Sequence, residues 1–206
     1  MSKQNEILPL TALLGHSKQD QYISTSDHVF KHHDVFIDTD IGEPGEYREL
    51  ISILFNASEN DTINIFINSG GGNLDTALAI VEGLKNTAAE VTAIIIGACH
   101  SAASIISMYC DRVAVLDNAY SMVHTASFGT AGNTGNVKSY TDFTVRQVER
   151  LLHETYEGFL TKDELAKVKD GVELWFDSDE MRRRMNNRIK LLETKIKRIK
   201  KGVQDE

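Results

Sequence analysis

Ser101, within Gly97-Ala-Cys-His-Ser101-Ala-Ala-Ser104, is the residue best placed to do chemistry. It follows a β-branched run over 91–96 and opens an apolar run over 102–108, so a hydroxyl stands where a buried strand should turn into a buried helix. A lone hydroxyl taken out of water costs free energy unless something uses it. At a helix N-terminus it also sits among free backbone N–H groups, a setting that stabilises negative charge growing on a substrate oxygen. Ser101 therefore reads as a candidate nucleophile. Its other reading is a helix N-cap, an ordinary job for serine at this point.

A serine attacks a carbonyl when a base removes its proton and an acid group steadies the base. Of seven histidines, His124 fits best, because it ends the apolar stretch Tyr120-Ser-Met-Val-His124 and precedes a flexible segment. From a strand end its ring can project over a sheet edge, although a histidine there can equally be a surface residue. His100 adjoins Ser101, and neighbouring side chains diverge. His16, His28, His32 and His33 fall in or beside a polar N-terminal stretch, and His153 lies in a helical segment. Acyl transfer also needs donors for the oxyanion, and Gly70-Gly71-Gly72 can expose backbone N–H groups with no side chain in the way. That run lacks the Lys-Ser/Thr ending of a phosphate-binding loop and the spacing of a dinucleotide fingerprint, which sets nucleotide binding aside.

The surrounding pattern alternates strands and helices, which argues for an α/β fold with a largely parallel sheet and functional loops at the strand ends. Strands are expected at 35–38, 62–68, 91–96, 112–116 and 121–124. Helices are expected around Tyr47 to Leu54, over 74–84 and over 102–108. The glycine run and Ser101 each follow a strand, so both should reach one sheet edge. Residues 125–136 read as a Gly, Ser, Thr and Asn-rich loop, and 137–160 as one long amphipathic helix. Thr161-Lys-Asp-Glu164 has the form of a capping box. From Asp177 onward, Met181, Met185, Ile189, Leu192, Ile196, Ile199 and Val203 recur in steps of four and three, a heptad seam. Such a stripe fits a contact between chains or a helix lying on its own domain.

With 206 residues, 41% of them apolar and 25% charged, the chain suits one α/β domain with an appended tail. The division expected is a polar arm over 1–32, a catalytic domain over 33–181 and a basic helix over 182–206. No apolar run approaches a membrane span, and no secretory signal pattern opens the chain. Cys99 and Cys110 form no metal-ligand spacing and read as reduced thiols, which makes the cytoplasm the natural compartment. The net charge of −8 hides an asymmetry: residues 182–201 hold ten of the 22 Lys and Arg and one acid, Glu193. The acidic body argues against nucleic acid as a partner of the main domain, while the tail suits an acidic partner or an acidic surface of its own assembly.

Ile67-Asn-Ser-Gly-Gly-Gly72, Gly97 to Ser101-Ala-Ala-Ser104 and Met122-Val-His124 occur in the order seen in the Clp protease proteolytic subunit, and the chain resembles that family, its phage-encoded members included, over roughly 33–182. The resemblance implies a repeated β-β-α superhelix shared with the crotonase superfamily, with 137–160 as a long handle helix that interlocks with another ring. It implies a serine endopeptidase in a ring-shaped homo-oligomer, acting on peptides or unfolded proteins with a separate AAA+ unfoldase, or on a viral scaffold. The nucleophile falls on Ser101, the base on His124, and the oxyanion donors on the N–H groups of Gly72 and Ala102. Substrate contacts fall on Gly71, Gly72 and Thr125, and no metal or cofactor is called for. The chain departs from the family at Gly70, where proline is usual, and in a shorter interval from Ser101 to His124. The third triad member maps onto Glu173 in Glu173-Leu-Trp-Phe-Asp-Ser-Asp-Glu180, with Asp170 as competitor and Asp177 as a weaker one. Two other readings stay open: an inactive structural ring subunit, and a crotonase-like acyl-CoA enzyme.

Overall fold

The computed structural model of the chain describes residues 29–204, with side chains through 197. One six-stranded sheet organises it. Strands β1 (His32–Ile37), β2 (Thr62–Ser69) and β3 (Glu90–His100) run parallel in that order. Beyond β3, β4 (Arg112–Val115) pairs with Thr92 to Ile95, and β5 (Tyr120–Val123) pairs with Ala98 to His100, both parallel. Strand β6 (Leu174–Asp177) closes the order, antiparallel to β5. Helices α1 (Arg48–Asn56), α2 (Leu74–Asn86) and α3 (Ala102–Met108) alternate with the strands, followed by α4 (Thr134–Tyr156), α5 (Lys162–Lys169) and α6 (Ser178–Gln204).

The period-two pattern of the strands decides which face the helices cover. Ile63, Ile65 and Ile67 of β2 and Val91, Ala93 and Ile95 of β3 are buried, together with Leu54, Ile80 and Val81 from the helices. Helices α1 and α2 approach closely because Gly83 faces Leu54; a Cβ at Gly83 would lie 2.8 Å from Leu54 Cδ1. Among the described residues, no helix is long and apolar enough to cross a membrane.

Several boundaries differ from the sequence expectation. Strand β3 does not stop at Ile96 but continues to His100, so the turn is Ser101 itself. Gly97 is part of that strand because Asn68 crowds it: a Cβ there would fall 2.3 Å from Asn68 Oδ1, which accepts the N–H of Ala98 at 3.0 Å. Helix α4 starts at Thr134, where the Asn133 side chain accepts the N–H of Asn136, and it ends at Tyr156. Gly158, at φ 80°, turns the chain back so that Phe159 packs against Phe176. The capping box at Thr161 and Glu164 forms as expected. Strand β1 takes in His32 and His33, which the sequence grouped with the arm. Residues 1–28 of the arm, with His16 and His28, lie outside the described residues.

The heptad seam divides. Met181 and Met185 are buried, whereas Ile189, Leu192 and Ile196 face outward; the side chains of Ile199 and Val203 lie outside those described. Helix α6 begins at Ser178 and passes the expected domain boundary at 182 without a break. Much of the tail's positive charge is spent on its own body. Arg182 reaches Asp117 and the carbonyl of Val115, Arg184 clasps Glu164 and Glu180, Arg188 donates to the carbonyl of Glu157, and Lys195 pairs with Glu157. This helix fastens the domain as well as extending from it.

Candidate active site

Ser101 occupies a sharp strand-to-helix turn at φ 51° and is the one non-glycine residue with positive φ among those described. The conformation is held from both sides. The Ser101 N–H donates to the carbonyl of Met122 at 2.8 Å, and the Ser101 carbonyl accepts the N–H of Ile105 at 3.1 Å. Ser101 thus acts as a strained turn and offers no side-chain cap, which removes the N-cap reading. The same Met122 belongs to β5, and two residues later the strand delivers His124. Its Nε2 lies 2.7 Å from Ser101 Oγ, so the hydroxyl can donate to the neutral ring.

The glycine run comes to the turn through Gly71. A Cβ there would meet Ser101 Cβ and the His100 carbonyl at 2.8 Å each, and Gly71 stands at φ 97°. Only glycine permits this approach. The Gly71 N–H is taken by the buried Ser69 hydroxyl at 3.1 Å and its carbonyl by the N–H of Ile41 at 2.7 Å, so both its polar groups are engaged within the chain. Gly72, at φ 142°, packs against the Ile41 backbone, and its own N–H has no partner among the described residues. The N–H of Ala102, the first helical residue of α3, is likewise unengaged among them. Gly72 and Ala102 both line the cavity that holds Ser101 and His124.

That cavity measures about 570 Å³. Gly70, Leu74, Ile105 and Met122 contribute to its wall from the sheet side, Phe128 from the loop, and Tyr140, Val148, Leu152 and Tyr156 from α4. The lining mixes apolar side chains with converging polar ones, among them Asn73, Ser127 and Thr144, as a site for a peptide, with its own polar backbone, would. Thr125 does not line it; it borders an adjoining hollow of about 230 Å³ with Val145, Glu149 and Lys169.

Glu173, the expected third acid, precedes a strand the sequence did not announce. Val123 of β5 pairs with Leu174 of β6, so His124 and Glu173 are the next step along each strand as the ladder opens. Glu173 is exposed and makes no hydrogen bond to His124 among the described residues. Asp170 caps the C-terminus of α5, with its N–H bonded to the carbonyl of Ala166, and makes no hydrogen bond to His124 among the described residues. Asp177 is occupied: its side chain accepts the N–H of Glu180 at 2.8 Å and starts α6. Asp177 is therefore set aside as a triad member.

The remaining titratable groups nearby have other employment. The His100 ring packs edge-on against Tyr120 and Trp175, its Nε2 is buried without a partner, and burial pulls its pKa down. Burial also pushes the Cys99 thiol up to about 12, so it stays protonated and inert. His32 bonds Thr62, Asp34 and Asn64 on the far strands. No group of three or more His, Cys, Asp or Glu suited to a metal occurs among the described residues. Sequence reading missed Ser69, Asn68 and Ser104, small polar residues that brace the site: Ser69 locally on Gly71, Asn68 on Ala98 of the next strand, and Ser104 on both Ser101 and the distant Tyr156. Their one visible signal was polarity inside an otherwise apolar pattern.

The family model for Clp protease matches residues 17–182, most of the chain, and the chain belongs to that family.

Proposed function

We propose that this member of the Clp protease family is a serine endopeptidase that works through an acyl-enzyme. The observation that carries the reading is the 2.7 Å approach of Ser101 Oγ to His124 Nε2 inside a cleft of about 570 Å³. The Ser101 oxygen attacks the scissile carbonyl carbon while His124 Nε2 takes the hydroxyl proton. The new oxyanion is received by the N–H groups of Gly72 and Ala102. The imidazolium then gives its proton to the leaving amine, the C–N bond breaks, and a water activated by the same ring releases the acyl group. Glu173, one step past the Val123–Leu174 pair at the open end of the β5–β6 ladder, turns its side chain to Nδ1–H in the working site, orients the ring and offsets the imidazolium charge.

The substrate is an extended peptide laid along the glycine run, touching Gly71 by van der Waals contact, since its own N–H and carbonyl are engaged. It meets the N–H of Gly72, unengaged among the described residues, with Thr125 flanking the path. The working particle is a ring of copies, in the cytoplasm. The chain carries no ATPase motif, so digestion of folded proteins calls for an AAA+ unfoldase, whereas short peptides or a scaffold do not. The inert-ring and acyl-CoA readings give no role to a serine bonded to a histidine.

A fluorophosphonate probe tests the reading. The intact mass should rise by one adduct in the parent chain and stay unchanged in Ser101→Ala and His124→Ala, whose peptide hydrolysis should fall about 10³-fold or more. A parent chain that never takes the probe refutes the proposal.

A further inference from the structure

Two fully buried hydroxyls are wired to the backbone of Ser101. The Ser104 hydroxyl donates to the Ser101 carbonyl at 2.8 Å, and the Tyr156 hydroxyl lies 2.5 Å from the same Ser104 oxygen. Ser104 is 0% and Tyr156 2% exposed, so water supplies neither partner. A serine has one proton to give, and Ser104 gives it to the carbonyl. Tyr156 must therefore be the donor in the second bond, and burial, which pushes its phenol upward, keeps that proton in place. The line runs from Tyr156 O–H to Ser104 O–H to the Ser101 carbonyl, each bond polarising the next.

The Ser101 carbonyl and the Ala102 N–H are the two ends of one peptide unit. Because the amide is conjugated, drawing electron density onto its oxygen makes its N–H a stronger donor. The Ser101 carbonyl already accepts the ordinary helical bond from Ile105, and Ser104 adds a second donor to it. A serine bonding back three residues is common in helices, and alone it would mean little. What sets this one apart is the second hydroxyl, brought from α4 to back it up at the wall of the catalytic cleft.

We propose that Ser104 and Tyr156 are positioning residues for the nucleophile turn, strengthening the Ala102 N–H as an oxyanion donor through the Ser101–Ala102 peptide. The inference rests on the peptidase reading above, in which that N–H receives the oxyanion. An interaction felt when charge develops should change kcat and leave substrate binding alone. Tyr156 acts only through Ser104, so the two effects should not add.

The experiment measures kcat and KM on a fluorogenic peptide, and the inhibition constant of a matching peptidyl boronate, for the assembled parent, Ser104→Ala, Tyr156→Phe and the double variant. The expected result is a kcat loss of about tenfold for Ser104→Ala and about threefold for Tyr156→Phe, with KM within about twofold. Boronate affinity should weaken by the same factors, and the double variant should match Ser104→Ala. Unchanged kcat in both single variants overturns the inference, as do losses confined to KM or losses that add in the double variant. If Ser104→Ala fails to fold, Tyr156→Phe, which keeps the ring, decides by its kcat and boronate constant. A parent that takes the fluorophosphonate while the variants behave like it overturns this inference alone; a parent that does not removes the peptidase reading and this inference together.

Discussion

At Ser101 the protein accepts a conformation that costs a serine roughly 1–3 kcal/mol. What holds φ at 51° is a set of neighbours drawn from three parts of the chain: Met122 on the N–H, Ser104 and Ile105 on the carbonyl, and Gly71 against the side chain. The serine, its histidine and the glycines were legible in the sequence because each ends a recognisable strand. The polar braces behind them were not: Tyr156 on Ser104 and Asn68 on Ala98 are pairs 52 and 30 positions apart, which leave no local trace. Glu173 is the residue whose role turns on an experiment. Its place opposite His124 as the ladder opens predicts that Glu173→Gln lowers kcat by about 10- to 100-fold with KM little changed, while Asp170→Asn leaves both intact. Steady-state hydrolysis of a small peptide checks this, and the reverse pattern would transfer the orienting role to Asp170.

Among the elements, periodicity exposed α1, α2 and α3 and the cores of β1 to β3, where each residue's burial follows its own position in the repeat. It failed at β6, a four-residue strand that exists because β5 offers it an edge and not because Leu174-Trp-Phe-Asp177 alternates strongly. It failed also along α6, where a regular seam conceals two faces. The inward one continues from Met181 and Met185 through Arg188, an arginine buried at 8% exposure, instead of through Ile189. Charge tells the same story at Arg184, whose guanidinium stacks over Phe176 and clasps Glu164 of α5. That contact holds the Glu164 carboxyl down to about 2, against an ordinary value of 4.5. A carboxylate depressed in the folded state contributes stability that is complete above its unfolded pKa and is lost as pH falls through the folded one. Urea midpoints should therefore decline between about pH 4.5 and pH 2 in the parent, and Glu164→Gln should lower the neutral-pH midpoint and flatten that decline. Parallel pH profiles for the two proteins would show that the Arg184 clasp does not tie α5 to α6.

For the molecule as a whole, the sheet poses a packing problem that the described residues do not solve. Parallel strands are ordinarily covered on both faces, yet among the described residues the helices cover one. The other presents a row across the sheet, Phe36, Phe66, Ile94 and Ala114, each in register with the next. Phe36 and Phe66 stack at 4.8 Å, and Phe36 is 60% exposed; Leu116 beyond them is also exposed. Further exposed apolar side chains stand on the second and third turns of α4, Tyr140 and Phe143, which border one hollow together. Contiguous exposed aromatics of this kind mark contact surfaces, and two of them on different sides of one chain let each copy meet more than one neighbour. The chain should accordingly behave in solution as a closed assembly of many copies. Light scattering should report a mass several times that of one chain, Phe36→Glu should bring it down, and Phe143→Glu should produce a different, intermediate particle, because it breaks a different contact. If all three proteins run at the mass of a single chain, these faces are not contacts between copies. If the parent assembles and neither charge disturbs it, the surfaces that join the copies lie elsewhere on the chain.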